Sequence, residues 1–267
     1  MNSAAIFRTF LALVAVFCLD GAFRCVMAQA SCLAVDSAQK VSDTQGNFTG
    51  TLAASDQFGR GATAVGDIDG DGIVDLAVGA YFGGGNDEGA VWVLFMTANG
   101  TVSSQQAIGA GLGGFTGSLD FDDQFGVSVC PLGDLNGDGV PDIAVGANQD
   151  DDGGLDRGAV WILFLNANGT VNAQQKISDL QGNFTGTLAN NDLFGIALDS
   201  IGDVNNDGVN DLAVGAMFDD DGQVNAGAVW VLFLNANGTV DGQQNISSTQ
   251  CGFGGALDTG DRFGVTV

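Results

Sequence analysis

The sequence predicts an all-β chain, a β-propeller built of repeated four-stranded blades, and three observations predict it. An acidic turn followed by an apolar run, DIDGDGIVDLAVGA from Asp67, returns as DLNGDGVPDIAVGA from Asp134 and DVNNDGVNDLAVGA from Asp203, at offsets of 67 and 69 residues. Other marks keep the same step: Asp-x-Phe-Gly at Asp56, Asp123, Asp192 and Asp261, Gly-Ala-Val-Trp at Gly89, Gly158 and Gly227, and Asn-Gly-Thr-Val at Asn99, Asn168 and Asn237. Finally, the two central runs of each repeat are apolar at consecutive positions instead of alternating. A strand reads that way when both of its faces are covered, and a stacked four-stranded repeat covered on both faces is a propeller blade.

The elements of a repeat follow in order. The first strand is expected to start at the Phe-Gly (Phe58, Phe125, Phe194) and the second to be the run after the acidic turn, as in Asp75–Ala80. The third is AVWVLF, Ala90 to Phe95. An Asn-Gly pair turns the chain, a strong hairpin signal, into a fourth strand such as TVSSQQAI or TVNAQQKI. The expected boundaries are 31–57 for the fourth strand of a preceding blade and a linker, 58–124, 125–193 and 194–262 for three full blades, and 263–267 for the start of another. The first of these rests on the match of SAQKVSDTQGNFTG (37–50) to AQQKISDLQGNFTG (173–186). Three blades do not close an ordinary ring, so the reading favours a truncated piece of a complete propeller. Its open blade edges would invite self-association.

Residues 1–30 read as an export signal. Arg8 precedes the apolar segment FLALVAVFCL, and Ala28-Gln29-Ala30 supplies a cleavage site. The segment is too short to span a bilayer, which takes about 20 apolar residues. The chain is therefore expected to be secreted or at the cell surface, without direct membrane insertion. Cleavage would remove Cys18 and Cys25, leaving Cys32, Cys130 and Cys251. Three thiols cannot all pair within one chain, and the reading prefers buried or unpaired thiols to a Cys32–Cys251 bridge. A net charge of −25 excludes nucleic acid as a partner, because phosphate binding needs a basic footprint. With no histidine in the sequence, Ser-His-Asp and Cys-His catalysis are excluded. The chain is therefore read as a non-enzyme. A hydrolase or lyase would need unrepeated acids such as Glu88 or Asp156. The GxGxxG match at Gly109–Gly114 precedes a turn-like segment instead of a helix and is set aside.

Every ligand position of the acidic turns is an oxygen donor. Positions 1, 3, 5 and 9 are Asp67, Asp69, Asp71 and Asp75, then Asp134, Asn136, Asp138 and Asp142, then Asp203, Asn205, Asp207 and Asp211. Position 7 (Ile73, Val140, Val209) would lend its carbonyl and turn its side chain to the core. Hard oxygen donors on a flexible loop suit Ca2+, about one ion per complete blade. The first turn, with four carboxylates, is expected to bind differently from the others. The Asp triplets 150–152 and 219–221 lie between second and third strands. They read either as solvated loops or as a second cation or ligand surface on the rim opposite the hairpins. Candidate glycosylation sequons stand at Asn47, Asn99, Asn168, Asn183, Asn237 and Asn245.

Phe-Gly, the DxDGDGxxD loop and Gly-Ala together resemble the FG-GAP repeat of the integrin α-subunit head. The resemblance implies a seven-bladed propeller when complete, calcium on one rim and ligand contacts on other loops. The chain departs from it where the proline after Gly-Ala is Tyr81, Asn148 or Met217. The function expected is an exported calcium-binding module for binding or adhesion to a protein or carbohydrate. The alternative is a structural, calcium-dependent surface or self-assembling protein.

Overall fold

A computed structural model describes residues 38–85 and 87–267. The segment read as an export signal, Cys32 and Ser37 lie outside the described residues. From Gln39 onward the chain forms one compact unit. It contains twelve strands: β1 (Ala62–Gly66), β2 (Asp75–Ala80), β3 (Ala90–Met96), β4 (Val102–Gly109), β5 (Val129–Gly133), β6 (Asp142–Ala147), β7 (Ala159–Leu165), β8 (Val171–Ile177), β9 (Phe194–Gly202), β10 (Asp211–Ala216), β11 (Ala228–Leu234) and β12 (Val240–Ile246). They make three antiparallel sheets, β1-β2-β3-β4, β5-β6-β7-β8 and β9-β10-β11-β12, which are three blades of the propeller kind. The described residues contain no helix.

Both faces of the middle blade's central strands are covered, as their unbroken apolar runs predict, whereas in β11 Val229, Val231 and Phe233 are half-buried. In β7, Trp161, Leu163 and Leu165 pack with Val91, Val93 and Phe95 of the first blade. The alternate residues Val160, Ile162 and Phe164 pack with Leu212, Val214 and Trp230 of the third. The two large core clusters are thus the interfaces between blades, and a smaller one gathers Phe48, Val78 and Leu94 in the first blade. Each such side chain, fully buried, contributes roughly 1.5–3 kcal/mol.

The repeated glycines are explained by close approach. A Cβ on Gly79, Gly146 or Gly215 of the Gly-Ala would stand 1.8, 2.0 or 1.9 Å from the carbonyl oxygen of Gly126, Gly195 or Gly264, the glycine of the next Phe-Gly. Beside this contact, Gly89, Gly158 and Gly227 form parallel bridges to Phe125, Phe194 and Phe263. Phe-Gly and Gly-Ala are therefore the two halves of one latch between blades.

Two expectations about strands differ from the structure. The first strands of blades one and two begin four residues after Phe58 and Phe125, because Gly59 and Gly126 sit at φ of +100° and +94° and break the extended backbone. In the third blade the same irregularity is a bulge inside β9, at Gly215/Ala216 of its partner. Residues 38–41 carry no strand, and only Ser42 and Gln45 form an isolated bridge. A fourth strand needs the backbone of a third strand to bond, and the described residues place none beside this segment.

The stretch after it nonetheless folds like the loops between blades. Phe48 stacks on Phe58 (5.2 Å) and edge-on to Trp92 (5.0 Å). Phe115 does so with Phe125 and Trp161 (5.2 and 4.9 Å), and Phe184 with Phe194 and Trp230 (5.2 and 5.0 Å).

Candidate metal centres and the opposite rim

Each acidic turn joins the first and second strands of its blade. In the first, carboxylate oxygens of Asp67, Asp69 and Asp71 all lie within 4.8 Å of one another. The turn is shaped by its own N–H groups. Asp67 Oδ1 accepts from Gly70 and Asp71 (2.8 and 3.0 Å) and its Oδ2 from Gly72 (2.8 Å), while Asp71 Oδ1 accepts from Ile73 (2.8 Å). Gly70 and Gly137 take φ of +78° and +79° at the fourth position. Asn206 fills that position in the third blade at +63°, a conformation asparagine tolerates.

The second and third turns repeat this geometry around Asp134 and Asp203 with one difference. The Asn136 amide donates to Asp138 Oδ2 (3.0 Å) and the Asn205 amide to Asp207 Oδ2 (2.8 Å). Asp69 has no such donor, so three negative charges converge in the first turn where two meet an amide in the others. Oxygen-only donors as close as those of the first turn could hold a hard divalent cation. Ile73, Val140 and Val209 turn their side chains against the core.

Position 9 has a second role that the spacing did not announce. Asp75, Asp142 and Asp211 are buried. Asp75 accepts from the N–H of Ile68 and Met96 (both 2.9 Å), Asp142 from Leu135 and Leu165 (both 3.0 Å), and Asp211 from Val204 and Leu234 (2.9 and 3.1 Å). Each therefore staples the start of the turn to the end of the third strand. Burial pushes the Asp142 carboxyl up to about 6. A cation beside it would favour the ionised form and oppose that shift.

Strand direction puts the acidic turns and the Asn-Gly hairpins at one end of every blade and the β2–β3, β6–β7 and β10–β11 loops at the other. At that other end the Asp of the first three Asp-x-Phe-Gly motifs is buried and ties down its loop: Asp56, Asp123 and Asp192 accept from Ala53, Asp120 and Ala189, all at 2.7 Å. Burial pushes Asp123 and Asp192 up to about 7.

In the second blade Lys176 of β8 reaches into this rim. Its Nζ lies 2.7 Å from Asp150 and 3.4 Å from Asp152, and 5.5 Å from the centre of the Trp161 ring. Nothing in the sequence reading singled out Lys176, although its repeat-equivalent positions, Ala107 and Asn245, do not keep it. Glu88 and Asp156, the acids an enzyme would need, lie in the latch: their carbonyls accept from Phe125 and Leu193 (2.9 and 3.2 Å). Cys130 is buried between blades with its thiol pushed up to about 12 by burial, and Cys251 is exposed and unpaired.

The FG-GAP repeat family matches residues 59–94, 125–163 and 194–232, one match over the first three strands of each blade. The chain carries three FG-GAP repeats. Its relatives are integrin α subunits. It is 43% identical to integrin alpha-6 of Homo sapiens over 116 residues, which is 43% of this chain and 9% of that protein. It is 33% identical to integrin alpha-4 of Xenopus laevis over 165 residues, 61% of this chain and 14% of that protein. With integrin alpha pat-2 of Caenorhabditis elegans the identity is 39% over 93 residues, 34% of this chain and 7% of that protein. The chain thus spans between 7 and 14% of the length of the relatives it matches.

Proposed function

We propose that this FG-GAP chain is an exported, calcium-binding and non-catalytic module that binds or adheres to an extracellular protein or carbohydrate, with blades spanning 58–124, 125–193 and 194–262. The observation that carries the calcium reading is the convergence of Asp67, Asp69 and Asp71 within 4.8 Å. Calcium would be held by those residues with Asp75 and the Ile73 carbonyl. In the other blades it would be held by Asp134, Asn136, Asp138, Asp142 and the Val140 carbonyl, and by Asp203, Asn205, Asp207, Asp211 and the Val209 carbonyl. The ion supplies charge neutralisation to the turn, and the Asp75, Asp142 and Asp211 staples pass its hold to the third strands. The relation to integrin α subunits supports the adhesion reading.

Extracellular calcium modules have dissociation constants of roughly 10⁻⁴–10⁻³ M, and tenfold excess over that constant stabilises by about 1.4 kcal/mol per site. Melting in excess calcium and in chelator tests this: the expected result is a higher melting temperature with calcium and a smaller gain in Asp71→Asn. Equal melting temperatures would refute it.

Asn47, Asn99, Asn168, Asn183 and Asn237 are exposed and are the proposed glycan acceptors. Asn245 is half-buried and its Ser247 fully so, which argues against modification there.

A further inference from the structure

Blades two and three carry the same acids on the rim opposite the metal turns. Asp123, Asp150 and Asp152 of the second correspond to Asp192, Asp219 and Asp221 of the third, at an offset of 69. They differ at the residue opposite the tryptophan. Trp161 pairs across the ladder with Lys176, and Trp230 pairs with Asn245. Where the lysine ammonium sits in the second blade, the third has a cavity of about 520 Å³ lined by Asp192, Asp219, Asp221, Trp230, Asn245 and Thr185, among others. That volume lies within the range of small-molecule sites, roughly 300–1,000 Å³.

Three features of the cavity point to an absent cation. Asp219 is 5% exposed, and the one hydrogen bond to its carboxylate comes from the Asp221 N–H (2.8 Å). No Lys or Arg among the described residues forms an ion pair with it. Asn245 Oδ1 is a buried acceptor without a donor, and the ring of Trp230 lines the cavity where Trp161 lines the seat of Lys176. The first blade makes the correlation sharper. Gly83, Gly84 and Gly85 stand where the others have three aspartates, and Ala107 stands where the lysine would be. Blade one keeps Asp56 but lacks both the aspartate triplet and the lysine, and blade two has both. Blade three alone has the triplet without the lysine.

We infer that the third-blade cavity binds a primary alkylammonium group, seated over Trp230 between Asp219, Asp192 and the Asn245 carbonyl as Lys176 is seated in the second blade. A buried carboxylate without a counter-charge is costly, and an ammonium over an indole face beside carboxylates gains both ion-pair and cation–π attraction. A divalent ion fits less well. The carboxylates of Asp192, Asp219 and Asp221 do not form a cluster of the kind that Asp67, Asp69 and Asp71 form. The ammonium can belong to a free amine or to a lysine side chain of a bound protein. This gives a ligand class to the binding module proposed above and rests on that reading.

The test is the indole N–H spectrum of the full chain, which has three tryptophans, titrated with n-butylammonium, with the peptide Gly-Lys-Gly and with neutral butanol. The amine and the peptide should shift the Trp230 signal and leave Trp92 and Trp161 in place, and butanol should shift none. Tighter binding of the peptide would assign the group to protein lysines, and equal binding to free amines. Asn245→Lys fills the cavity from within, as the second blade does, and should abolish the shift. Asp219→Asn should weaken it about tenfold or more, the loss of a charge-assisted bond. Lys176→Ala should add a response at Trp161; if that variant does not fold, the other two decide. An unmoved Trp230 signal, an equal response in Asn245→Lys, or displacement of the amine by calcium would overturn the inference. Calcium-dependent melting of the same sample reports separately on the metal turns, so the two readings can fail independently.

Discussion

Blades two and three share their strands, their staples and their latch, and part company on the rim opposite the acidic turns. In one, an internal lysine neutralises the acids; in the other, an asparagine leaves them facing a cavity. The difference teaches where this fold can vary. Val160, Ile162 and Phe164 meet Leu212, Val214 and Trp230 in a core that fixes the spacing of the blades. Position 176/245 lies on an outer strand, at the rim beyond that core, so charge there can change without disturbing the stack. What repeats holds the propeller together, and what fails to repeat is where binding chemistry should be sought.

The largest effect tests the shared part. Asp142→Ala and Asp211→Ala each leave two backbone N–H groups without the carboxylate that now accepts them. An unsatisfied buried donor costs about 1–3 kcal/mol, so each variant should lose roughly 2–6 kcal/mol in urea unfolding, and the two losses should agree. Unequal losses would mean the blades are not equivalent even where their geometry matches.

Next comes the unshared part. Lys176→Ala removes the cation from Asp150, whose side chain is 3% exposed. Breaking one partner of a buried pair costs about 3–5 kcal/mol, and the 11% exposure of the lysine places this pair at the lower end. Asn245→Ala breaks no ion pair or hydrogen bond to Asn245 Oδ1 and should move stability by less than about 1 kcal/mol. Similar costs for both would remove the basis for treating the rims as different.

These contrasts show what was legible in the sequence. The blades were, because apolar runs at fixed spacing can be buried on both faces in few ways. The partners across the blades were not. Phe48, Phe115 and Phe184 sit in turn-like Asn-Phe-Thr or Gly-Phe-Thr segments, where polar neighbours hide a core aromatic whose only signal is its recurrence at 67 and 69 residues. Asp75, Asp142 and Asp211 stand at a spacing that serves a metal ligand and a backbone staple equally. The start of the first strands slipped because Phe-Gly was read as extended chain, while the glycine turns the backbone to a positive φ so that it can meet the Gly-Ala of the preceding blade. Lys176 meets Asp150 across 26 residues, a pairing that no local pattern encodes.

The smallest effect sharpens the comparison through pH. Burial pushes Asp219 up to about 6 and Asp192 up to about 7 from 3.8; the charges of Asp221 and Asp220 add to it at Asp219, and those of Asp219 and Asp220 at Asp192, where Arg157 works against it. A carboxyl whose folded value is raised keeps its proton in the fold where the unfolded chain has lost it. The unfolded state then binds fewer protons between about pH 4 and 7, and stability falls as pH rises through that window. Asn245→Lys puts an ammonium beside Asp219, favours its ionised form and pulls its value back down, so the fall should flatten by about 1.4 kcal/mol for each unit of pKa recovered. The second blade shows how far this goes: burial keeps Asp150 above its ordinary value even with Lys176 at 2.7 Å, while Asp152, with hydroxyl and amide donors as well, is held below it. The flattening should therefore be partial. Melting curves of the parent chain and Asn245→Lys from pH 4 to 8 decide it. Superimposed profiles would mean that a lysine at this position does not reach Asp219, and that the third-blade rim is built differently from the second.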